Sequence, residues 1–153
     1  MLASMLAGGE AHPKRGSMSD TEALIRAYYD AFNAQDVVRF LSLLTDDVAH
    51  DINQGGREIG KAAFRTFLEH MNRCYRETIT DLVVMTSPDG GRAAAEFTVD
   101  GTYLRTDEGL PEASGQRYRL PAGAFFTIRD GKVARISNTY NLQDWLAQVR
   151  RTE

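Results

Sequence analysis

The residue types and spacings that could carry chemistry are few. His50 and Asp51 are adjacent in a β-prone stretch, residues 48–52. An unperturbed imidazole titrates near pH 6.5 and suits proton transfer at neutral pH. Neighbours on a strand point to opposite faces, so these two neither form a base with its orienting carboxylate nor chelate one ion from one face. Cys74, the single cysteine, has Arg73 and Arg76 nearby, and their charges favour the thiolate. No histidine arrangement is evident beside it, so a structural or incidental thiol is expected. The histidines at 12, 50 and 70 are too scattered for a His-rich motif, and no metal is expected. Tyr118 and Arg119 face opposite ways on a strand, so one of them should reach an interior pocket. Arg119 in that place would imply an anionic or enolate-bearing ligand. Phe97 and Val99 share one strand face, with Glu96, Thr98 and Asp100 on the other.

Several chemistries lack their motifs. There is no Gly-rich phosphate loop, since Asn53-Gln54-Gly55-Gly56 has neither the spacing nor the trailing Lys-Ser/Thr. There is no Gly-x-Ser-x-Gly nucleophile elbow. One cysteine excludes an intrachain disulfide framework and any multi-cysteine zinc or iron–sulfur site.

The elements that must position these groups follow from hydrophobic period. Ser19-Asp20-Thr21-Glu22 reads as a capping box. Leu24, Tyr28 and Phe32, with Ile25 and Tyr29, then mark one apolar face of a helix to about residue 33. Asp36 caps a shorter helix carrying Val37, Phe40, Leu41 and Leu44, and a third helix spans about 61–72. The period then changes to that of strands: 75–86, 93–104, 118–128 with a break or bulge near 121–123, and 133–140. Asp130-Gly131 marks a hairpin turn. A last short helix covers 142–149. Residues 105–117 form a long loop and are read as a pocket rim, with a plain surface excursion as the alternative. Three helices followed by antiparallel strands indicate an α+β fold.

Composition sets the frame. The chain has 153 residues, enough for one domain, with 42% hydrophobic residues to fill a core. The net charge of −3 lacks the basic excess of a nucleic-acid binder. No apolar run is long enough to cross a membrane. Residues 1–18 are read as a flexible extension, dispensable for stability, and 19–150 as a single domain. The N-terminus makes a poor signal peptide, so cytoplasmic location is the default expectation.

Three segments carry a resemblance: 27–36 (AYYDAFNAQD), 44–51 (LTDDVAHD) and 126–133 (FTIRDGKV). Their order and spacing resemble the superfamily of nuclear transport factor 2 (NTF2-like), ketosteroid isomerase and the SnoaL-type polyketide cyclases. Residues 51–56 and the ending 140–145 are most similar to ketosteroid isomerase-related proteins. The resemblance implies a cone-shaped fold, a strongly curved mixed β-sheet packed against three N-terminal helices around an apolar cavity. It also implies a homodimer and a small apolar or aromatic ligand.

Against the isomerase pattern, Tyr28 matches the oxyanion-donor tyrosine, with a plain core tyrosine as the alternative. Isomerase logic, a carboxylate base with acidic donors, is an established pattern. Ungapped counting puts Ile52 at the base position. Asp51 falls one residue early and needs a bulge to reach the cavity; His50 has the right parity, with a plain hydrogen-bonded strand histidine as the alternative. The second donor position holds Ala124, which offers no proton, so true steroid isomerase activity is not expected. The cyclases' acidic residue near the last strand falls close to Asn141. The implied site is Tyr28, His50 and Asp51 for chemistry, with Phe97, Val99, Tyr118, Arg119, Ala124, Phe126 and Asn141 around the ligand. The expected activity is cofactor-independent proton transfer on a small apolar carbonyl compound; a non-catalytic small-molecule binder is the alternative.

Overall fold

The computed structural model describes residues 17–151. Most of the expected 1–18 extension lies outside the described residues. Its last two residues belong to the fold. Helix α1 runs Met18–Asn33 with Ser17 as N-cap; the Ser17 hydroxyl accepts from the Asp20 amide and the Asp20 carboxylate accepts from the Ser17 amide. The capping box is therefore one half-turn earlier than the Ser19–Glu22 reading. Both quartets satisfy the Ser-x-x-acid pattern, and the helix takes the one that adds residues.

Helix α2 is Val37–Ser42, capped by Asp36. Leu44, expected on that helix, instead opens strand β1, Leu44–Asp51. A short strand that the sequence reading omits, β2, covers Arg57–Ile59. Helix α3 is Lys61–Cys74, and strands β3 (Tyr75–Thr86), β4 (Arg92–Tyr103), β5 (Arg117–Arg129) and β6 (Lys132–Tyr140) follow. Helix α4 is Leu142–Val149. Among the described residues no helix is long and apolar enough to cross a membrane.

The six strands make one mixed sheet in the order β2-β1-β6-β5-β4-β3, parallel only between β1 and β6. The fold is the α+β cone of the NTF2-like type, a curved, unclosed sheet with its helices. An extra residue between Thr80 and Val83 opposes β4, and Asp81 there has φ 54°. Such a bulge bends the strand and raises local twist. Strand β5 is continuous through 121–123, against the expected break. Pro121 sits one residue beyond the β6 pairing, which begins at Ala122, so its missing N–H costs no bond on that side. At the β5–β6 turn, Asp130 and Gly131 both have positive φ, as a two-residue hairpin turn requires.

Helix α1 is fixed to the sheet at both ends. Thr21 Oγ1 donates to the Gly90 carbonyl at 2.7 Å. Asn33 donates from Nδ2 to the Ile79 carbonyl at 3.0 Å and accepts the Ile79 amide at 2.7 Å. Between these anchors, Ile25, Tyr28 and Tyr29 turn inward onto Phe40, Phe97 and Phe126. Burying each such side chain contributes about 1.5–3 kcal/mol. This aromatic layer holds the helices off the sheet and sets the upper wall of a cavity.

Candidate active site in the sheet cavity

The cavity measures about 290 Å³ and lies among α1, α3, the inner sheet face and the loop after β4. Its wall is mainly apolar, with a few polar groups: Tyr28, Tyr29, His50, Glu77 and Asn138 among them. That composition is typical of small-molecule sites.

Strand parity places His50 inside. It is 1% exposed, stacked on Phe64 at 4.4 Å and edge-on to Phe67 at 4.5 Å. Asn138 Nδ2 lies 3.4 Å from His50 Nε2. An amide N–H donating there leaves the ring proton on Nδ1, which is buried without a partner among the described residues. Burial drives the His50 pKa down to about 4, outweighing the pull of the Asp51 charge. The expectation of an imidazole poised near neutrality is thus corrected. At pH 7 His50 is neutral, a hydrogen-bonding group and a weak base.

A pH dependence follows. A histidine with a lowered native pKa contributes stability that is complete above pH 6.5 and lost as pH falls toward 4. The full contribution is about 3 kcal/mol. Glu77 acts oppositely in part of this range, so the His50 contribution is best taken as a difference. Stability of the wild type minus that of His50→Gln, from urea melts, should rise by about 2–3 kcal/mol between pH 4 and 6.5 and then stay flat. A difference independent of pH would show that His50 does not titrate this way.

Asp51 points away from the cavity. It accepts from Arg57 Nε at 2.5 Å and Nη2 at 3.0 Å, and from Arg135 at 3.2 Å. The Arg57 hydrogen bond, foremost, holds its carboxyl below the usual range. The register shift in β1 falls between Leu44 and Ala49, upstream of Asp51, so no bulge turns this side chain inward.

A carboxylate that does enter, besides Asp107 at the rim, is Glu77, which sequence reasoning passed over. It lies on β3 between Tyr75 and Ile79, on their inward parity. Tyr118 Oη donates to Glu77 Oε1 at 2.5 Å. Glu77 pairs across the strands with Gly101, and Gly101 pairs with Tyr118. With no side chain at 101, the tyrosine ring lies over the glycine to reach the acid. Burial raises the Glu77 pKa, and the Tyr118 hydrogen bond opposes that rise.

Of the other expected ligand contacts, Phe97 and Val99 line the cavity. Tyr118, Ala124 and Phe126 are buried behind its wall. Arg119 is on the outer face, ion-paired to Asp81 and Asp100 at 3.4 Å each, because Tyr118 takes the inward parity. Asn141 is also outside this cavity: it is the N-cap of α4, accepting from the Gln143 and Asp144 amides. Tyr28 and Tyr29 both line the cavity, and Tyr29 Oη is buried without a partner among the described residues. Burial raises the pKa of both phenols, so they remain protonated donors.

The loop after β4 supplies Asp107 and Leu110 to the cavity rim. Asp107 Oδ1 meets His70 Nε2 at 2.8 Å, with Cys74 Sγ at 4.0 Å from the same nitrogen. The Cys74 thiol pKa is raised by burial and by Asp107, against the lowering expected from its arginine neighbours. His70 at i and Cys74 at i+4 share a helix face, a signal present in the sequence.

A family model for the SnoaL-like domain matches residues 25–136. The chain belongs to the SnoaL-like family. This SnoaL-like chain is 64% identical to a Pseudomonas putida KT2440 protein of known structure, provisionally assigned as a polyketide cyclase. The match covers 85% of this chain and 97% of that one, with a TM-score of 0.83. A protein from Xanthomonas campestris pv. campestris with the same provisional assignment is 54% identical over 86% and 98% of the two chains, TM-score 0.84. A phenazine biosynthesis-related protein from Pseudomonas aeruginosa, 19% identical over 89% and 88%, shares the fold with a TM-score of 0.72. No curated protein matches the SnoaL-like chain.

Proposed function

We propose that this SnoaL-like chain is a cofactor-independent enzyme that moves a proton beside a carbonyl in a small apolar or aromatic compound of polyketide type. The observation that carries the reading is Glu77, a carboxylate held by Tyr118 on the wall of a mainly apolar cavity. Its raised pKa makes it a stronger base than an ordinary carboxylate, while the tyrosines and His50 stay neutral. Environments that push titratable groups apart in this way separate base from donors.

In the proposed step Glu77 accepts the proton of an α C–H bond. The bonding pair becomes the carbon–carbon double bond of an enolate, and negative charge develops on the former carbonyl oxygen. Tyr28, Tyr29 or His50 donates a hydrogen bond to that oxygen. Where a β,γ double bond conjugates the enolate, the proton returns at the γ carbon, giving an isomer; where a second carbonyl lies in reach, the enolate carbon attacks it, closing a ring, and the new alkoxide takes the proton from Glu77. The base assignment moves from His50 or Asp51 to Glu77 because the first is too weakly basic and the second faces outward. Steroid isomerisation is not assigned, because inward-facing Ala124 has no donor where that chemistry needs one.

The test is hydrogen–deuterium exchange. Small aromatic and alicyclic ketones, including 1,3-diketones, are incubated with the protein in D2O, and exchange at the α carbon is followed by NMR. Protein-dependent exchange supports the reading. Ketones that bind without exchange above buffer would make the chain a small-molecule carrier instead.

We further propose a homodimer through the outer sheet face. Met85, Ala94 and Phe125 are adjacent across β3, β4 and β5, with Val83 one rung away. Val83, Met85 and Phe125 are 53%, 49% and 51% exposed, an apolar patch suited to a second copy. Sedimentation at micromolar concentration should show a dimer that Phe125→Glu converts to monomer. A wild type that sediments only as monomer would refute this.

A further inference from the structure

His70, Cys74 and Asp107 bring one nitrogen, one sulfur and one carboxylate oxygen within 4.8 Å of one another. The arrangement differs from a proton relay. In a relay the imidazole uses one nitrogen for each neighbour. Here both neighbours approach the same nitrogen, with Asp107 Oδ1 at 2.8 Å and Cys74 Sγ at 4.0 Å from Nε2. Three donors therefore surround one point. We infer that His70, Cys74 and Asp107 form a site for a divalent ion of borderline softness, zinc(II) foremost, at the rim of the cavity.

The donor chemistry fits. Imidazole, thiolate and carboxylate are the protein ligands of zinc, and the two anions match its charge. Tetrahedral coordination at ordinary zinc bond lengths puts N and S about 3.6 Å apart and N and O about 3.4 Å apart. The two distances from Nε2 need changes of about 0.6 Å or less, and the sulfur and oxygen, within 4.8 Å of each other, close by up to about 1.2 Å, within side-chain adjustment. His70 and Cys74 are one helical turn apart on α3, which gives the pair a rigid base.

Asp107 comes from the loop and is held independently. Tyr75 Oη donates to its Oδ2 at 2.7 Å, and its amide donates to Tyr103 Oη at 2.8 Å. This leaves Oδ1 for the site, and such outer hydrogen bonds orient metal ligands. His70 and Asp107 line the cavity, so a fourth position on the ion would be open to a water or a ligand oxygen. On binding, Cys74 releases its thiol proton to solvent, Nε2 of His70 gives up the hydrogen that Asp107 accepts from it, and the bound ring carries its hydrogen on Nδ1. Burial and Asp107 disfavour the bare thiolate, and the ion supplies the missing positive charge.

The experiment needs no substrate, so it stands or falls separately from the proton-transfer reading. The reduced full chain is freed of metal with a chelator and titrated with cobalt(II), then with competing zinc(II). Since the chain has one cysteine, a sulfur-to-cobalt charge-transfer band reports Cys74 alone. One equivalent of cobalt should produce that band, and zinc should abolish it. Cys74→Ser should lose the band and weaken zinc binding at least 100-fold. Tyr75→Phe, which removes only the outer hydrogen bond, should weaken it about 10–100-fold. Should Cys74→Ser melt abnormally, His70→Gln carries the test, because that side chain is 42% exposed. Absence of the charge-transfer band at millimolar cobalt, or zinc affinity unchanged by His70→Gln, would overturn the proposal.

Discussion

Glu77→Gln should reduce α-carbon exchange by about 10²–10⁴-fold, the usual contribution of a positioned general base, with ligand affinity changed little. The amide is nearly the same size and can still accept from Tyr118, so the wall of the cavity is preserved. What it loses is the ability to take a proton. Stability separates this outcome from simple damage. A carboxyl whose native pKa is raised supports the fold most fully below its ordinary value of 4.5 and loses that contribution as pH rises through the native pKa. The neutral amide escapes this loss, so the variant should be at least as stable as the wild type at pH 8 in urea. Exchange retained in a folded Glu77→Gln protein would remove Glu77 from the mechanism.

Gly101→Ala should cost stability and activity together. A Cβ at this position would stand inside the Tyr118 ring, meeting Cζ, Cε2 and Oη. The ring cannot simply lift, since Trp145 packs edge-on to it at 5.9 Å. Overpacking of this kind costs about 1–3 kcal/mol. For a chain of this length that lowers the melting temperature by roughly 2–12 °C. Displacing Tyr118 also removes its hydrogen bond to Glu77, so exchange should fall as well. Adding Tyr118→Leu to Gly101→Ala should relieve the clash, making the double variant more stable than the two separate losses would imply. It should not restore exchange. Full additivity in thermal melts would show that the ring and the glycine are not in conflict.

The uneven legibility of this molecule has physical reasons. The aromatic face of α1 was readable because a 3.6-residue period is a local signal, while two overlapping Ser-x-x-acid quartets left the start of the helix two residues off. The opposite facing of His50 and Asp51 was readable because strand parity is local too. Glu77 was also on a readable face, two residues from Tyr75 and two from Ile79. Its meaning was not, because that depends on a register joining residues 77, 101 and 118. Asp107 belongs to a loop with no period, so its meeting with His70 and Cys74 needed coordinates. Arg119 and Asn141 were misplaced for specific reasons: parity left two possibilities at 118–119, and Asn141 is committed to capping α4. The lowered His50 pKa required knowing that Phe64 and Phe67 enclose the ring.

Among the described residues strand β3 is an outer edge of the sheet, and it carries Val83 and Met85 exposed. An unpaired apolar edge is a template on which strands of other chains can add. Asn33 already occupies both the amide and the carbonyl of Ile79. Two residues later Asp81 turns into the left-handed region and kinks the edge. An incoming strand therefore loses its hydrogen-bonding partner and, immediately afterwards, its straight path. The side chain that anchors the first helix thus also removes Ile79 from the hydrogen bonds that an added strand would need.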